Sequence, residues 1–499
     1  MPDRYYVTTT IPYVNARPHL GFALELVQAD VHARQHRRGG EDVRFQTGTD
    51  DNSLKNVLAA ELAGVPTQEF VDGNAAAFAA LRGPLALSND AFVRTSGSPG
   101  HRLGVERLWA ACEAAGDLYR KHYEGLYCVD CEQFYQPGEL AEGRCPEHGA
   151  VPSLVAEENW FFRLSRYGGR LREEITSGRL RIEPAQRRNE VLSFIDSGLT
   201  DFSISRSQDR ARGWGIPVPG DPGQVVYVWW DALCNYLTGL RFGSADETAY
   251  RHWWREGAAR VHLAGKGVVR FHAVYWPAML LSAGLPLPTE ILVHDYLTAN
   301  GQKISKSAGN AVDPGELVAT YGADAVRWWL LREVPRSGDA DFTIERLLAR
   351  ANEDLANGIG NLVHRVVTMI HRYRGGRPPQ APEDAGPLAN AAREAPGLVD
   401  AALAEFDFRR AAAAVLRIVE EANRHIETTR PWQLAAAERS GDTAAGERLD
   451  AVLAGLLAAC RTLGEQLAPL LPSAAALIGE RCTAVDGVLP RTEPLFPRQ

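Results

Sequence analysis

The spacing of apolar residues at the start of the chain predicts a strand, a helix and a second strand. Residues 6–11 form a short run rich in β-branched side chains that stops at Pro12, which is typical of a buried strand leading into a turn. Apolar residues then recur at steps of four, three and four over 20–31, which predicts a helix that ends at Gly39. Val43 and Phe45 alternate with polar residues and predict the next strand. This βαβ pattern predicts a parallel sheet that binds ligands at the carboxyl ends of its strands.

The later pattern divides the chain into four regions. Apolar runs at 261–264 and 291–294 predict further strands of the same sheet, so an insertion interrupts the sheet. Beyond residue 345 the spacing becomes that of long helices, with an apolar stripe formed by Phe408, Ala412, Val415, Val419, Ala422 and Ile426. The sequence therefore predicts a Rossmann-like α/β catalytic domain in two halves around a connective domain, followed by an all-α helix bundle. The predicted boundaries are 1–118, 119–212, 213–345 and 346–499.

Length and composition predict a protein of several domains that neither spans a membrane nor is secreted. The 499 residues exceed the roughly 250–300 that one hydrophobic core supports, so two or more domains are expected. No stretch approaches the roughly 18 consecutive apolar residues that span a bilayer, and the first residues lack the pattern of a secretion signal. We expect a soluble, cytoplasmic monomer that does not bind membranes. The net charge of −8 provides no general attraction to nucleic acid, so any RNA binding must depend on local basic patches and shape.

Two short motifs have the chemistry to bind the phosphates of a nucleotide. The first, at residues 18–22, lies at the start of the predicted helix. There the helix N-terminus is expected to present unpaired N–H groups and a positive dipole to phosphate, Gly21 allows close approach and His19 can donate a hydrogen bond. The second is the loop 301–307, in which Lys303 and Lys306 can neutralise charge as pyrophosphate leaves. Taken singly, a capping or core histidine and a solvated surface loop are the ordinary interpretations of these motifs.

Three of the seven cysteines lie close together and suggest a metal site. Cys128 and Cys131 are separated by two residues, and Cys145 and His148 repeat that spacing after residues 132–144. Three thiolates and one imidazole in two such pairs fit a closed tetrahedral site, so we predict a structural zinc ion in the connective domain. Thiols in a loop without metal are the alternative.

The two phosphate motifs resemble the HIGH and KMSKS signatures of class I aminoacyl-tRNA synthetases, in the order of that family. The cysteine motif also looks like the single zinc knuckle of some methionyl-tRNA synthetases. Further segments are similar to that family over nearly the whole chain: residues 10–15 (TIPYVN), 47–50 (TGTD), 226–229 (VYVW) with 231–232 (DA), and 271–277 (FHAVYWP). The resemblance implies that the chain activates methionine or a similar amino acid with ATP and Mg²⁺ to an aminoacyl adenylate, and that tRNA accepts the acyl group.

The same resemblance implies roles for individual residues. ATP is expected to contact His19, Gly21, Gly265, Lys303, Ser305 and Lys306, of which His19, Gly21, Lys303 and Lys306 are also expected to act in catalysis. The amino acid is expected to contact Ile11, Tyr13, Asp50, Trp229, Ala232, Tyr236 and His272, with Asp50 holding its ammonium group. Such an apolar and aromatic pocket suits a thioether, although core packing is the ordinary role of these aromatic residues taken alone.

The resemblance also implies a tRNA-binding site in the helical region. Asn361, Arg365 and Trp432 match positions that read the anticodon, and their side chains suit stacking and hydrogen bonding to unpaired bases. Asn361 and Arg365 lie four residues apart on a predicted helix, so a solvated surface pair is the alternative interpretation.

Three places in the predicted ATP site depart from the family's pattern. Phe22 replaces the second histidine of the HIGH motif, and Gly267 replaces an aspartate expected to hold the ribose hydroxyls of ATP. Residues 51–53, which include Asn52 and Ser53, replace Glu-His-Gly. Each charge-assisted hydrogen bond lost in this way costs about 1.5–3 kcal/mol. Two alternatives therefore stay open: a paralogue of the hydrazine-synthetase type that passes the activated amino acid to a small molecule, and an inactive tRNA-binding module.

Overall fold

The computed structural model describes residues 3–129, 133–135, 137–146, 149–257, 259–299, 301–304, 312–380, 386–491 and 493–499. These residues fall into two compact units. The first unit contains the described residues of 1–82, 87–296 and 305–313, and the second contains those of 83–86, 297–304 and 314–499. The four domain boundaries expected from the sequence stay predictions.

The strands of the described residues are numbered along the chain: β1 Arg4–Thr8, β2 Asp42–Thr49, β3 Ala91–Arg94, β4 Leu118–Cys128, β5 Gln133–Tyr135, β6 Ser153–Phe162, β7 Arg181–Glu183, β8 Phe202–Ser203, β9 Ser205–Ser207, β10 Pro217–Val218, β11 Asp221–Val226, β12 Ala259–Gly265, β13 Glu290–His294, β14 Leu297–Ala299, β15 Gln302–Lys303 and β16 Ala340–Asp341.

The α-helices of the described residues are α1 Leu20–Arg38, α2 Leu54–Ala63, α3 Thr67–Ala79, α4 His101–Ala114, α5 Gly168–Thr176, α6 Ala185–Asp196, α7 Gln208–Ala211, α8 Val228–Leu233, α9 Asn235–Thr238, α10 Thr248–Tyr250, α11 Trp276–Ser282, α12 Pro314–Tyr321, α13 Ala323–Arg332, α14 Ile344–Arg350, α15 Asn361–Arg374, α16 Pro387–Ala404, α17 Phe408–Thr429, α18 Pro431–Arg439, α19 Thr443–Leu467 and α20 Pro472–Cys482. Wider π-type turns occupy Arg251–Arg255, Phe271–Tyr275 and Ala351–Gly360. None of these helices is long and apolar enough to cross a membrane.

The core of the first unit is a six-stranded parallel sheet in the order β3-β2-β1-β12-β13-β7. Tyr6, Val7 and Thr8 of β1 are fully buried, and Val7 aligns with Phe45 of β2 on one side and Val261 of β12 on the other. From the central pair β1 and β12, the strands β2 and β3 follow on one side and β13 and β7 on the other, so the strand order reverses between β1 and β12. Parallel sheets bind ligands at the carboxyl ends of the strands where the order reverses in this way.

The first two predicted elements are present, with one change of bounds. The first strand ends at Thr8 rather than extending to residue 11, because the backbone N–H of Thr10 donates to the carboxylate of Glu25 instead of to a strand. The helix begins at Leu20 as predicted and ends at Arg38, just before Gly39.

The connective region predicted within 119–212 contains an antiparallel sheet in the order β5-β4-β6-β8. Its long central pair aligns Leu118 of β4 with Phe162 of β6 and continues to the pair Tyr127 and Ser153. Cys128 is the last residue of β4, so the cysteine motif begins where this ribbon ends.

The second unit is mainly helical, as predicted. The apolar stripe predicted from Phe408 to Ile426 is buried along α17, and Asp407 caps that helix by accepting from the backbone N–H of Arg410. Gly375 ends α15 in the left-handed conformation at a φ of 62°, which glycine adopts without strain.

A buried arginine ties together three parts of the second unit. The guanidinium of Arg327 in α13 donates to the carbonyl oxygens of Leu85 at 2.9 Å, Leu470 at 2.8 Å and Pro469 at 3.2 Å. A guanidinium removed from water needs such acceptors, so these bonds hold the segment Gly83–Ala86 in the helical unit.

Candidate active site

The first helix begins at a histidine whose ring folds back over the helix. Nδ1 of His19 accepts from the backbone N–H of Gly21 at 3.1 Å, so the proton of the neutral ring lies on Nε2. A Cβ atom at Gly21 would lie 2.9 Å from Cε1 of this ring, which explains why position 21 carries no side chain. His19 can therefore donate a hydrogen bond from Nε2 at the carboxyl end of the sheet.

The amides of the first helical turn differ from the expectation. Unpaired N–H groups were expected here to bind phosphate. Leu20 instead donates to the carbonyl of Val312 at 2.9 Å, Gly21 to His19, and Phe22 to the carbonyl of His19 at 3.0 Å. The phosphate-binding capacity of this turn therefore depends on the imidazole and on the helix dipole rather than on spare amides.

Phe22, which replaces a histidine of the family motif, is part of the core. Its side chain is 7% exposed, and its ring meets that of Phe78 in α3 edge-on, with the centroids 5.2 Å apart. The substitution therefore exchanges a hydrogen-bond donor for apolar packing between α1 and α3.

A buried carboxylate links α1 to the loop after β1 and to the last residue of β13. Oε1 of Glu25 accepts from the backbone N–H and the hydroxyl of Thr10, and Oε2 lies 2.9 Å from Nε2 of His294. Burial alone lowers the pKa of His294, but the hydrogen bond and the negative charge of Glu25 hold that pKa above its ordinary value. The sequence pattern singles out neither residue. A glutamate within an otherwise buried stretch of α1 is the one local signal of this site.

The residues predicted to hold the nucleotide are only partly described. Gly265 aligns with His294 in neighbouring strands, and a Cβ atom at Gly265 would lie 3.4 Å from the His294 ring. Lys266 places its ammonium group 4.6 Å from the centre of the Tyr296 ring. Ser305 and Lys306, together with the side chain of Lys303, lie outside the described residues.

An aromatic group lies beside the carboxyl ends of the central strands. The ring of Trp229 stacks on that of Phe271 with centroids 3.9 Å apart, and the Tyr13 ring meets Trp229 edge-on at 6.3 Å. Tyr13 also pairs with Asp50 through an isolated parallel bridge, and the backbone N–H of Asp50 donates to the carbonyl of Pro12 at 2.9 Å. The structure thus brings Tyr13, Asp50 and Trp229 together, while Ile11 lies half-buried in the same loop as Tyr13.

Tyr236 and His272 form a buried hydrogen-bonded pair in the same unit. The Tyr236 hydroxyl lies 2.8 Å from Nε2 of His272, and Nδ1 of that ring lies 2.9 Å from the carbonyl of Val268. A carbonyl only accepts, so Nδ1 carries the proton and Nε2 accepts from the tyrosine. Burial lowers the pKa of His272, which keeps the ring neutral. Ala232, also predicted here, is buried in α8.

The segment 51–53, which departs from the family pattern, is bonded to the protein around it. Asp51 accepts from Arg94 Nε at 2.9 Å and from the Ser96 hydroxyl at 2.7 Å. Burial raises the pKa of Asp51, and these donors offset only part of that rise. The Asn52 amide donates to Asp231, and the Ser53 hydroxyl caps α2. These residues therefore have structural partners of their own.

A large cleft, which the sequence pattern does not indicate, lies in the first unit. It encloses about 1480 Å³ between the antiparallel ribbon and the segments that follow β7, β12 and β13 of the parallel sheet. Phe202 and Tyr275 stack in its wall with ring centroids 4.5 Å apart, and Lys121 and Lys266 also line it. Phe271, the stacking partner of Trp229, forms part of the same wall, so the cleft adjoins the aromatic group.

Two of the four predicted zinc ligands are described. Cys128 and Cys145 are buried in one small cluster with Tyr135, and the thiol of Cys145 donates to the Tyr135 hydroxyl at 3.4 Å. Cys131 and His148 lie outside the described residues. Within the described part of the chain, no group of three or more His, Cys, Asp or Glu side chains is arranged to hold a metal.

The predicted tRNA-binding residues lie on two helices of the second unit. Asn361 is the exposed first residue of α15, and Arg365 donates to the side chain of Asn423 at 3.2 Å. Trp432 is 47% exposed near the start of α18, whereas six other tryptophans are fully buried. The Arg374 side chain at the end of α15 donates to Glu438 of α18 at 3.1 Å, so the two helices are held together.

Comparison with known proteins gives consistent matches along the chain. The family described as tRNA synthetases class I (M) matches residues 5–151 and 135–367. A methionine–tRNA ligase of Mycobacterium leprae is 39% identical over 518 residues, which cover 99% of this chain and 95% of that protein. A methionine–tRNA ligase of Caldanaerobacter subterraneus subsp. tengcongensis is 40% identical over 476 residues, which cover 95% of this chain and 73% of that protein. The structure of Mycobacterium tuberculosis methionyl-tRNA synthetase in complex with methionyl-adenylate matches with a TM-score of 0.93 and 38% identity, covering 99% of this chain and 100% of that one.

Proposed function

Because the chain belongs to the methionyl-tRNA synthetase family of class I tRNA synthetases, we propose that it activates methionine with ATP and transfers the methionyl group to tRNA. The observation that carries this proposal is the near full-length match to a relative whose structure contains methionyl-adenylate. In the first step a carboxylate oxygen of methionine attacks the α-phosphorus of ATP, and the bond to the bridging oxygen breaks to release pyrophosphate. In the second step a ribose hydroxyl of tRNA attacks the acyl carbon, and AMP leaves.

The amino acid is expected to bind between Asp50 and the aromatic group. An ammonium group removed from water needs a carboxylate partner, which Asp50 supplies at the end of β2. Tyr13, Trp229 and His272 offer ring surfaces to an unbranched thioether, whose sulfur interacts favourably with aromatic rings. The buried pairing of Tyr236 with neutral His272 supports this assignment. A neutral imidazole is hydrated less strongly than a charged one, so it can line a pocket for an apolar side chain at a lower cost in free energy.

The nucleotide is expected to lie over the carboxyl ends of β1 and β12. His19 would donate from Nε2 to a phosphate oxygen, and Gly21 and Gly265 leave the room that a nucleotide needs. Lys303, Ser305 and Lys306 are proposed to bind the departing pyrophosphate, with Mg²⁺ bridging the phosphates. Since Phe22 and Gly267 supply no polar side chain, binding of ATP rests on fewer contacts than in the family pattern.

The tRNA is expected to contact both units. The half-exposed indole of Trp432 suits stacking by an unpaired base, with Asn361 and Arg365 as hydrogen-bonding groups. The large cleft suits the single-stranded end that must reach the adenylate, because it combines stacked rings with the ammonium groups of Lys121 and Lys266. Charging of tRNA makes the cytoplasm the expected site of action, and a monomer stays our prediction for its oligomeric state.

A structural zinc ion is proposed at Cys128, Cys131, Cys145 and His148. The fit rests on the two described cysteines, which are buried together in a cluster that has few other apolar groups. A closed site of four protein ligands stabilises such a small module without taking part in catalysis.

Amino-acid-dependent exchange of pyrophosphate into ATP, measured with each of the twenty amino acids and followed by charging of total tRNA, tests the proposal. Exchange with methionine and charging of tRNA is the expected result. Exchange without charging would indicate a small-molecule acceptor, and no exchange with any amino acid would indicate an inactive module.

The carboxylate assigned to the ammonium group provides a second test. Asp50→Asn should raise KM for methionine by about 10- to 100-fold, because a hydrogen bond to a charged group is lost. Asp196→Asn, the same change at a carboxylate that pairs with Arg172 on the surface, is the matched control and should leave exchange unchanged. Equal behaviour of the two variants would count against the role of Asp50.

A further inference from the structure

Asn52 contacts both sides of the proposed amino-acid site. Its side-chain amide donates to Oδ2 of Asp231 at 2.7 Å, and its backbone N–H donates to Oδ1 of Asp50 at 3.2 Å. Asp50 follows β2, whereas Asp231 lies in the first turn of α8, 179 residues after Asn52. One residue therefore connects the carboxylate assigned to the ammonium group with the helix that carries the aromatic pocket.

The other oxygen of Asp231 is held just as firmly. Oδ1 lies 2.5 Å from Nε2 of His101, and Nδ1 of that ring lies 2.7 Å from the hydroxyl of Thr238. Asp231 and His101 are each 1% exposed. A carboxylate buried to this extent needs donors on both oxygens, so Asn52 and His101 together fix its orientation.

The orientation of Asp231 determines where the pocket residues of α8 lie. Trp229 is two residues before Asp231 and Ala232 is the next residue, all within the six residues of α8. A helix this short has few hydrogen bonds of its own, so its rotation about its axis depends on side-chain contacts. Asp231 supplies such a contact. Because Asn52 bonds to both Asp231 and Asp50, this contact fixes the position of Trp229 relative to Asp50.

We infer that Asn52 and Asp231 are positioning residues that set the distance between the ammonium-binding carboxylate and the side-chain pocket. Methionine bridges these two subsites, since its ammonium group and its thioether belong to one molecule. Loss of the bond between Asn52 and Asp231 therefore weakens binding of methionine while binding of ATP, which does not use this span, stays the same. This inference rests on the proposed function.

The test compares Asn52→Leu, which keeps the size of the side chain but donates no hydrogen bond, with the wild type in methionine-dependent pyrophosphate exchange. KM for methionine is expected to rise by up to about 10- to 100-fold, because the free energy of one hydrogen bond to a charged group is the most that the lost contact can withdraw from binding, while KM for ATP stays within about twofold. Asp231→Asn should raise KM for methionine as well. The double variant should show less than the product of the two single effects, because both changes break one bond.

The matched control is Asn390→Leu, the same substitution at a half-buried asparagine of α16 in the second unit, and both KM values should stay unchanged. Circular dichroism and thermal melting of every variant identify any that fails to fold. Equal changes in the two KM values of Asn52→Leu, or no change in either, would overturn the inference.

Calorimetric titration with methionine in the absence of ATP separates this inference from the proposed function. Asn52→Leu should weaken methionine binding by the same factor as it raises KM. A wild type that binds methionine but shows no exchange would contradict the proposed function alone. Wild type and Asn52→Leu binding methionine equally would contradict the inference alone.

Discussion

Replacing Tyr236 by phenylalanine should destabilise the protein by removing one oxygen atom. In the wild type the Tyr236 hydroxyl donates to Nε2 of His272 at 2.8 Å, and both residues are 1% exposed. Tyr236→Phe keeps the ring, which stacks on His262 with centroids 4.0 Å apart, so little packing is lost. Nε2 of His272 then stays buried without this donor. We expect the free energy of unfolding in urea to fall by about 1–3 kcal/mol, the cost of an unsatisfied buried acceptor.

Two comparisons decide whether this reasoning is right. Tyr119→Phe removes a hydroxyl that donates to Asp201 at 2.9 Å near the surface, where water can replace it, so the loss should stay below about 1 kcal/mol. In a His272→Leu background the acceptor of the Tyr236 hydroxyl is already absent, so adding Tyr236→Phe should cost much less than it does in the wild-type background. Equal losses for Tyr236→Phe and Tyr119→Phe would refute the explanation. KM for methionine should rise in Tyr236→Phe alone of the two, with KM for ATP unchanged.

The remaining predictions concern ATP, pH and zinc. Gly267→Asp and Phe22→His should each lower KM for ATP in pyrophosphate exchange. Phe22→His should also lower the free energy of unfolding by about 1–3 kcal/mol, because the contact of the Phe22 ring with α3 is lost. No change in KM for either variant would contradict our interpretation of these positions. The bond between Glu25 and His294 raises the pKa of His294, so its stabilising effect should be complete below about pH 6.5 and should disappear as the pH rises through the raised value in the folded protein. His294→Gln should remove this pH dependence. The measurement is the free energy of unfolding in urea between about pH 5.5 and pH 8.5, a range that brackets the unperturbed pKa of histidine. Parallel pH profiles for the wild type and the variant would contradict the prediction. Cys128→Ser should lower bound zinc, measured by elemental analysis, from about one ion per chain to a small fraction of that, and an unchanged content would exclude the site.

Local patterns in the sequence are sufficient for much of the fold. The steps between apolar residues record which face of α17 is buried, whereas α1 is buried on all sides from Phe22 to Ala33. Glycine at 39 and 375 marks the ends of two helices. The capping position of His19 is also local, because it depends on the residue two places along.

Contacts between distant parts of the chain could not be predicted in this way. The bond between Glu25 and His294 joins residues 269 positions apart, and nothing in the sequence near either residue identifies the other as its partner. The amides of the first turn of α1 were expected to be unpaired, which is wrong: Gly21 and Phe22 donate to His19 nearby, and Leu20 donates to Val312 from far along the chain. The cleft forms where the antiparallel ribbon faces the segments that follow β7, β12 and β13, and these parts lie far apart in the sequence.

A recombinant fragment that begins at Leu297 would omit the segment Gly83–Ala86, and with it the carbonyl of Leu85. The guanidinium of Arg327, which is fully buried in the whole protein, would then retain its bonds to Leu470 and Pro469 but lose the carbonyl of Leu85 and the segment that covers it. Expression of the helical part alone should therefore give a less stable product than its size suggests. During synthesis the early tetrapeptide leaves the ribosome long before Leu470 does, so this part of the molecule can be completed only near the end of translation.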